Sequence, residues 1–131
     1  MIEVTSPADY PKLNRLPPLI SQHIQKYCNA LLSVYAADTL QGAGGIFYLE
    51  NKEDCRNHKE LGLSRAISVS VPEYTERLTL KGKGQELQIL HACFALNNST
   101  AISVFAEPQN LDTATLTTFL EDAEEREVYL E

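Results

Sequence analysis

No run of about 18 apolar residues occurs in this chain, so no helix is expected to cross a membrane. The N-terminus lacks a basic flank followed by an apolar core, and no secretory signal is expected. Internal repeats and low-complexity tracts are absent. Cysteine is scarce, three residues at irregular spacing. That odd count excludes a disulfide framework and indicates free thiols in a reducing compartment, which places the protein in the cytoplasm. A basic excess is also missing: the net charge is −7. A concentrated negative field repels polyanions, so neither DNA nor RNA is an expected partner.

What is present fits one ordinary domain. A length of 131 residues with 44% hydrophobic and 22% charged content is that of a single globular unit, 1–131. Such a chain buries about two-thirds of its unfolded surface, enough for a core without staples.

The middle of the chain reads as consecutive strands. Residues 65–71 alternate, with Ile67, Val69 and Val71 on one face, and Pro72 ends the run. Leu78 and Leu80 alternate with Arg77, Thr79 and Lys81. Gly82-Lys83-Gly84 suits a tight hairpin because glycine tolerates positive φ. Residues 85–96 place Leu87, Ile89, His91, Cys93 and Ala95 on one face. The other face changes from Glu86 and Gln88 to Leu90, Ala92, Phe94 and Leu96, so that end is covered on both sides. Asn97-Asn98-Ser99 is a second turn, and residues 100–106 return as a strand before Pro108. Ile46 to Glu50 adds a shorter strand.

Helices flank these strands. Pro17 and Pro18 suit a first helical turn. Leu16, Leu19, Ile20, Ile24, Tyr27, Cys28, Leu31, Val34 and Tyr35 then recur at spacings of three and four, predicting a helix over about 18–38. Residues 1–15, with Pro7 and Pro11, read as an extended arm in which Ile2 and Val4 could form a short edge strand. The glycines of Gly42-Ala43-Gly44-Gly45 follow a helix rather than precede one, which argues for a C-cap and turn over a phosphate loop. Residues 51–62 are a polar segment, loop or short helix. A final helix starts near Asn110 or Asp112. Leu116, Phe119, Leu120 and Ala123 form its stripe, and Leu130, two heptads past Leu116, extends it toward the C-terminus. The expected fold is therefore α+β: an antiparallel meander of about five strands, with the N-terminal and C-terminal helices on one face.

Charge is unevenly placed. Residues 1–106 hold ten acidic and ten basic side chains, whereas residues 107–131 hold eight acidic and one basic, Arg126. On a helix reading, Glu121, Asp122, Glu124, Glu125, Glu127 and Glu131 crowd the C-terminal end, where the macrodipole disfavours anions. One reading is a solvated, frayed terminus. The other is a surface that engages a basic partner through Glu121, Asp122, Glu124, Glu125 and Glu127.

Chemistry has few candidates. His91 and Cys93 share a strand face, and Cys55 and His58 lie three apart. Neither pair has the Cys-x-x-Cys spacing of common zinc sites, so no metal and no cofactor is expected. A Cys–His nucleophile also needs a cleft and an orienting third group, so no catalytic residue is assigned. Two helices on one face would leave Leu90, Phe94 and Phe105 on the other as an exposed apolar patch. Such a patch marks an interface, here of an expected homodimer or a docked partner.

Ile102–Glu107 followed by Leu111–Glu124 resembles the last strand and helix of small acidic type III secretion chaperones. That family carries a helix between its third and fourth strands, where it dimerises, whereas the strands here read as uninterrupted. In size and acidity the chain is similar to bacterial immunity proteins that neutralise basic toxins. The function expected is thus a non-enzymatic acidic protein-binding module, inhibitor- or immunity-like or secretion-chaperone-like, that engages a basic protein surface. The rival class is a small-molecule-binding protein or enzyme with a pocket between helix and sheet near His91 and Cys93.

Overall fold

The computed structural model describes residues 1–40, 44–55, 71–95 and 100–131. These include six strands: β1 (Ile2–Val4), β2 (Gly44–Leu49), β3 (Tyr74–Gly82), β4 (Gln85–Ala95), β5 (Ala101–Ala106) and β6 (Glu124–Tyr129). Helix α1 spans Pro18–Tyr35 and α2 spans Thr113–Leu120. Short 3₁₀ helices cover Pro7–Arg15, Lys52–Cys55 and Pro108–Asn110. Residues 65–70 of the strand expected before Pro72, His58 and the turn at 97–99 lie outside the described residues.

The class is α+β, but the sheet is mixed and six-stranded, in the order β1-β2-β5-β4-β3-β6. The meander is real for β3, β4 and β5, which pair antiparallel in sequence order. Its hairpin turn is Lys83-Gly84, with φ of 50° and 73°, the double positive-φ signature of a type I′ turn. Two parallel pairings break the antiparallel pattern. β2 joins β5, and β6 joins β3. Where β2 enters beside β5, a Cβ on Gly44 would lie 1.6 Å from the Ala101 carbonyl oxygen, so that crossing requires glycine.

Both faces are covered, and by different helices. Leu19, Ile20, Ile24, Cys28 and Leu32 of α1 pack with Ile46, Tyr48, Leu78, Leu80, Ile89 and Phe105 on the first face. Phe119 of α2 packs with Leu90, Ala92, Phe94, Ile102 and Val104 on the second. Leu90, Phe94 and Phe105 are each 0% exposed, so the expected apolar surface patch is corrected to core. They also do not share a face. Cα register sets Phe105 beside His91 and Leu90 beside Ala106, which puts Phe105 under α1 and the other two under α2. A one-residue difference in register flips every side chain of a strand, so the observed pairing turns Ser103 and Phe105 of β5 toward α1 and not toward Leu90 and Phe94.

Two further expectations change. Ile2–Val4 is the short edge strand that its two apolar residues allow, whereas Pro7–Arg15 is a 3₁₀ helix and not an extended arm. β1 joins the sheet antiparallel to β2, and Thr5 donates its N–H to Asp9 Oδ2 at 2.9 Å as the 3₁₀ helix begins, with Leu13 fully buried. The final helix starts where expected, its N-cap Asp112 accepting from the Thr115 N–H at 2.8 Å, but it stops at Leu120. Asp122 turns the chain at φ 55°, and the acidic segment becomes β6. Helix α1 ends at Ala36 in the left-handed region rather than at a glycine.

Candidate functional site

The α1-covered face carries a polar cluster that spans four strands. Cα pairing aligns Ser103, Cys93 and Tyr74 in one row across β5, β4 and β3. The next row is Phe105, His91, Glu76 and Glu124, reaching β6. Strand residues two apart share a face, so these rows sit side by side under Tyr27 and His23 of α1. Those two helical residues are four apart and project to the same side.

Glu76 is the anchor. It is 2% exposed and takes the Arg126 guanidinium at 2.8 Å and the Tyr74 hydroxyl as a donor. The His91 Nδ1 lies 3.8 Å from its Oε1, at ion-pair distance. Burial alone would raise the Glu76 carboxyl. The His91, Tyr74 and Arg126 donors outweigh it and hold the group down to about 2. His91, 3% exposed, stacks flat on Phe105 with centroids 4.2 Å apart, and its Nε2 lies 3.4 Å from Cys93 Sγ.

Cys93 is only partly buried and collects three neighbours. Besides His91, Ser103 Oγ lies at 3.6 Å and the Tyr27 hydroxyl at 3.8 Å, and those two hydroxyls are 2.7 Å apart. Burial pushes the thiol up, but His91, Ser103 and Tyr27 bring it below its ordinary value. Burial likewise lowers His91, and Cys93 and Glu76 reverse that into a net rise. The arrangement is a thiol, an imidazole and a carboxylate in series, the layout that activates a cysteine. His23 behaves oppositely. Burial, with positive charge from His91 and Arg126, drives it down to about 4.

The other candidates fall elsewhere. Cys55 belongs to the α2 face, its Sγ 3.9 Å from the Asn110 carbonyl, so the sheet separates it from Cys93 and the two cannot share a metal. Glu121 and Asp122 sit in the turn after α2, and Glu124, Glu125 and Glu127 lie on β6, all exposed. Glu125 meets Arg77 at 3.6 Å and Glu127 meets Lys81 at 2.9 Å, so part of the acidic end is neutralised within the sheet. Among the described residues no ion pair engages Glu121, Asp122 or Glu124. A surface hollow of about 270 Å³ at the start of α1, lined by Asn14, Leu16, Ser21, Gln22, Gln25 and Lys83, shares no residue with the Cys93 cluster.

Sequence reasoning placed His91 and Cys93 together but missed Glu76, Ser103 and Arg126. Their spacing carries no signal, since cross-strand register alone assembles them. Comparison with protein families, with curated proteins and with solved structures returned no match. No helix among the described residues is long and apolar enough to cross a membrane.

Proposed function

We propose that the chain is a non-enzymatic, cytoplasmic protein-binding module that receives an extended basic segment of a partner along the outer edge of β6. The supporting observation is the position of the acidic end. β6 is the last strand of the sheet, six residues long, and no described strand pairs with its outer side. An open edge offers backbone donors and acceptors to an added strand. Glu121, Asp122 and Glu124 supply charge that favours Lys and Arg beside that strand. The opposite edge is less inviting: β1 has three residues, and the amide of Leu40 already bonds the Thr5 carbonyl beyond it at 2.6 Å. Binding of this kind suits an inhibitor-like, immunity-like or chaperone-like role, in which the partner is held and not transformed.

Affinity isolation from the native host at two salt concentrations tests this reading. The partner is expected to be retained at low salt, lost at high salt, and absent when Glu121→Lys, Asp122→Lys and Glu124→Lys are combined. A partner set that ignores both the salt and the charge reversal overturns it.

A further inference from the structure

The Cys93 cluster has a chemistry that a docking edge does not need. A buried carboxylate is expensive unless it is matched, and Glu76 is matched by Arg126, Tyr74 and His91 together. A cysteine that serves as core filling is closed to solvent, as Cys28 is beside Leu32 and Ile24 in the α1 core, with Tyr10 as a polar neighbour. Cys93 instead faces an imidazole and two hydroxyls and is partly open to solvent. We propose that Cys93 is a peroxide-reactive cysteine, its thiolate paired with the His91 imidazolium and oxidised by hydroperoxides to a sulfenic acid, with Glu76 as the positioning residue for His91.

The step balances. The Cys93 sulfur attacks one peroxide oxygen, an S–O bond forms and the O–O bond breaks. Sulfur loses two electrons and the peroxide gains them. The leaving group, hydroxide from hydrogen peroxide or alkoxide from an organic hydroperoxide, takes the His91 Nε2 proton and departs as water or as the alcohol. The product Cys93–SOH has the hydroxyls of Ser103 and Tyr27 beside it, groups able to hydrogen-bond its oxygen. A hydroperoxide is small enough to need no deep pocket, which suits a thiol at the rim of the helix–sheet seam. Among the described residues no second thiol is placed to resolve the product. Cys55 lies across the sheet, and Cys28 is fully buried next to Tyr10. The sulfenic acid therefore persists, or is capped by a small external thiol.

The charged and titratable groups around Cys93 come from every element packed on it: Tyr27 and His23 from α1, Tyr74 and Glu76 from β3, His91 from β4 and Arg126 from β6. His23 stays neutral at physiological pH, because burial depresses it, so the local positive charge is that of His91 and Arg126. In the ionised state the four inner groups balance, Glu76 and Cys93 against Arg126 and His91, with the exposed Glu124 beside Tyr74 and Lys26 beside His23 at the margin.

Iodoacetamide alkylation of the native chain from pH 5 to 9, mapped by peptide mass spectrometry, reads the thiolate directly. Hydrogen peroxide followed by dimedone reads the sulfenic acid. At pH 6.5, Cys93 is expected to alkylate at least about tenfold faster than a free cysteine peptide, with Cys28 and Cys55 silent. The dimedone adduct is expected at Cys93 alone. Glu76→Gln, with folding checked by circular dichroism, is expected to move the alkylation midpoint upward and to slow the reaction at pH 6.5 several-fold, while Cys93→Ser abolishes the adduct. A Cys93 that follows the ordinary thiol pH curve, or forms no dimedone adduct, overturns the proposal. If Glu76→Gln does not fold, the native pH profile and adduct map decide the matter.

Discussion

The two faces of this sheet are made by the same strands and each buries an apolar core, but only the α1 face adds a buried ionised network to it. On the α2 side, Leu90, Ala92, Phe94 and Phe119 form an apolar layer, with the Phe94 and Phe119 rings 6.3 Å apart. On the α1 side, the neighbouring residues His91 and Cys93 join Glu76, Ser103 and Tyr27 in a hydrogen-bonded network. β4 alternates between these two worlds one residue at a time. The difference teaches that both faces supply apolar cohesion, and that the α1 face adds a polar network whose strength depends on protonation.

The largest effect should come from disturbing the dry face. Phe94→Asp is expected to prevent folding, because an unpaired carboxylate would be buried, and Phe94→Ala should cost about 3–5 kcal/mol. Neither loss should vary with pH between 5 and 8 in denaturant titrations. A pH-dependent loss would show that the faces are not separate.

The polar face should respond to acid. His23 is depressed from 6.5 to about 4, so the folded chain binds fewer protons than the unfolded one. Its contribution is complete above 6.5 and is lost as pH falls toward 4, on the order of 3 kcal/mol. Glu76 adds a second loss, beginning near its ordinary 4.5 and completed toward 2. His91, raised by Cys93 and Glu76, has the opposite sign: its contribution is complete below 6.5 and is lost as pH rises from there through its raised value. Denaturant midpoints measured across pH should therefore fall below 6.5, and His23→Gln should flatten the first part of that fall.

Removing Arg126 isolates the anchor. Its side chain is 55% exposed, so solvent replaces part of what it gives, and Arg126→Gln should cost about 1–2 kcal/mol at pH 7. The cost should shrink as Glu76 becomes protonated. The smallest effect concerns the cover of the dry face: Asp112→Ala removes the N-cap of α2 and should lower stability by about 1 kcal/mol at any pH above the carboxyl range.

Much of this architecture was readable from spacing. The Lys83-Gly84 turn, the two faces of β4 and the Asp112 cap follow from local pattern and appear in place, as does the α1 stripe through Leu31, whereas Val34 and Tyr35, expected in that stripe, are exposed at the end of the helix. β6 was hidden because its face residues are Glu124, Arg126 and Val128, and a strand secured by ion pairs to β3 has no apolar alternation to display. Glutamates also favour helices, and the Leu116–Leu130 spacing suggested one. What ended that helix was Asp122 at positive φ, a conformation Asp tolerates but does not announce. The site was half visible for a related reason. His91 and Cys93 are neighbours in sequence, whereas Glu76, Ser103 and Arg126 reach them through three separate pairings.

The place of β6 has a consequence for biogenesis. Its partner β3 lies some fifty residues upstream, with Glu76 beside Glu124. β6 follows every other described strand in the chain, so during synthesis β3 must wait with its outer edge bare while β4, β5 and α2 are made. Until β6 arrives, Glu76 lacks Arg126, and the inner core lacks Leu130, whose amide bonds the Lys81 carbonyl at 2.7 Å. The nascent chain thus passes through a stage with an unprotected strand and an under-compensated buried charge, the stage at which misassembly and chaperone capture are most favoured.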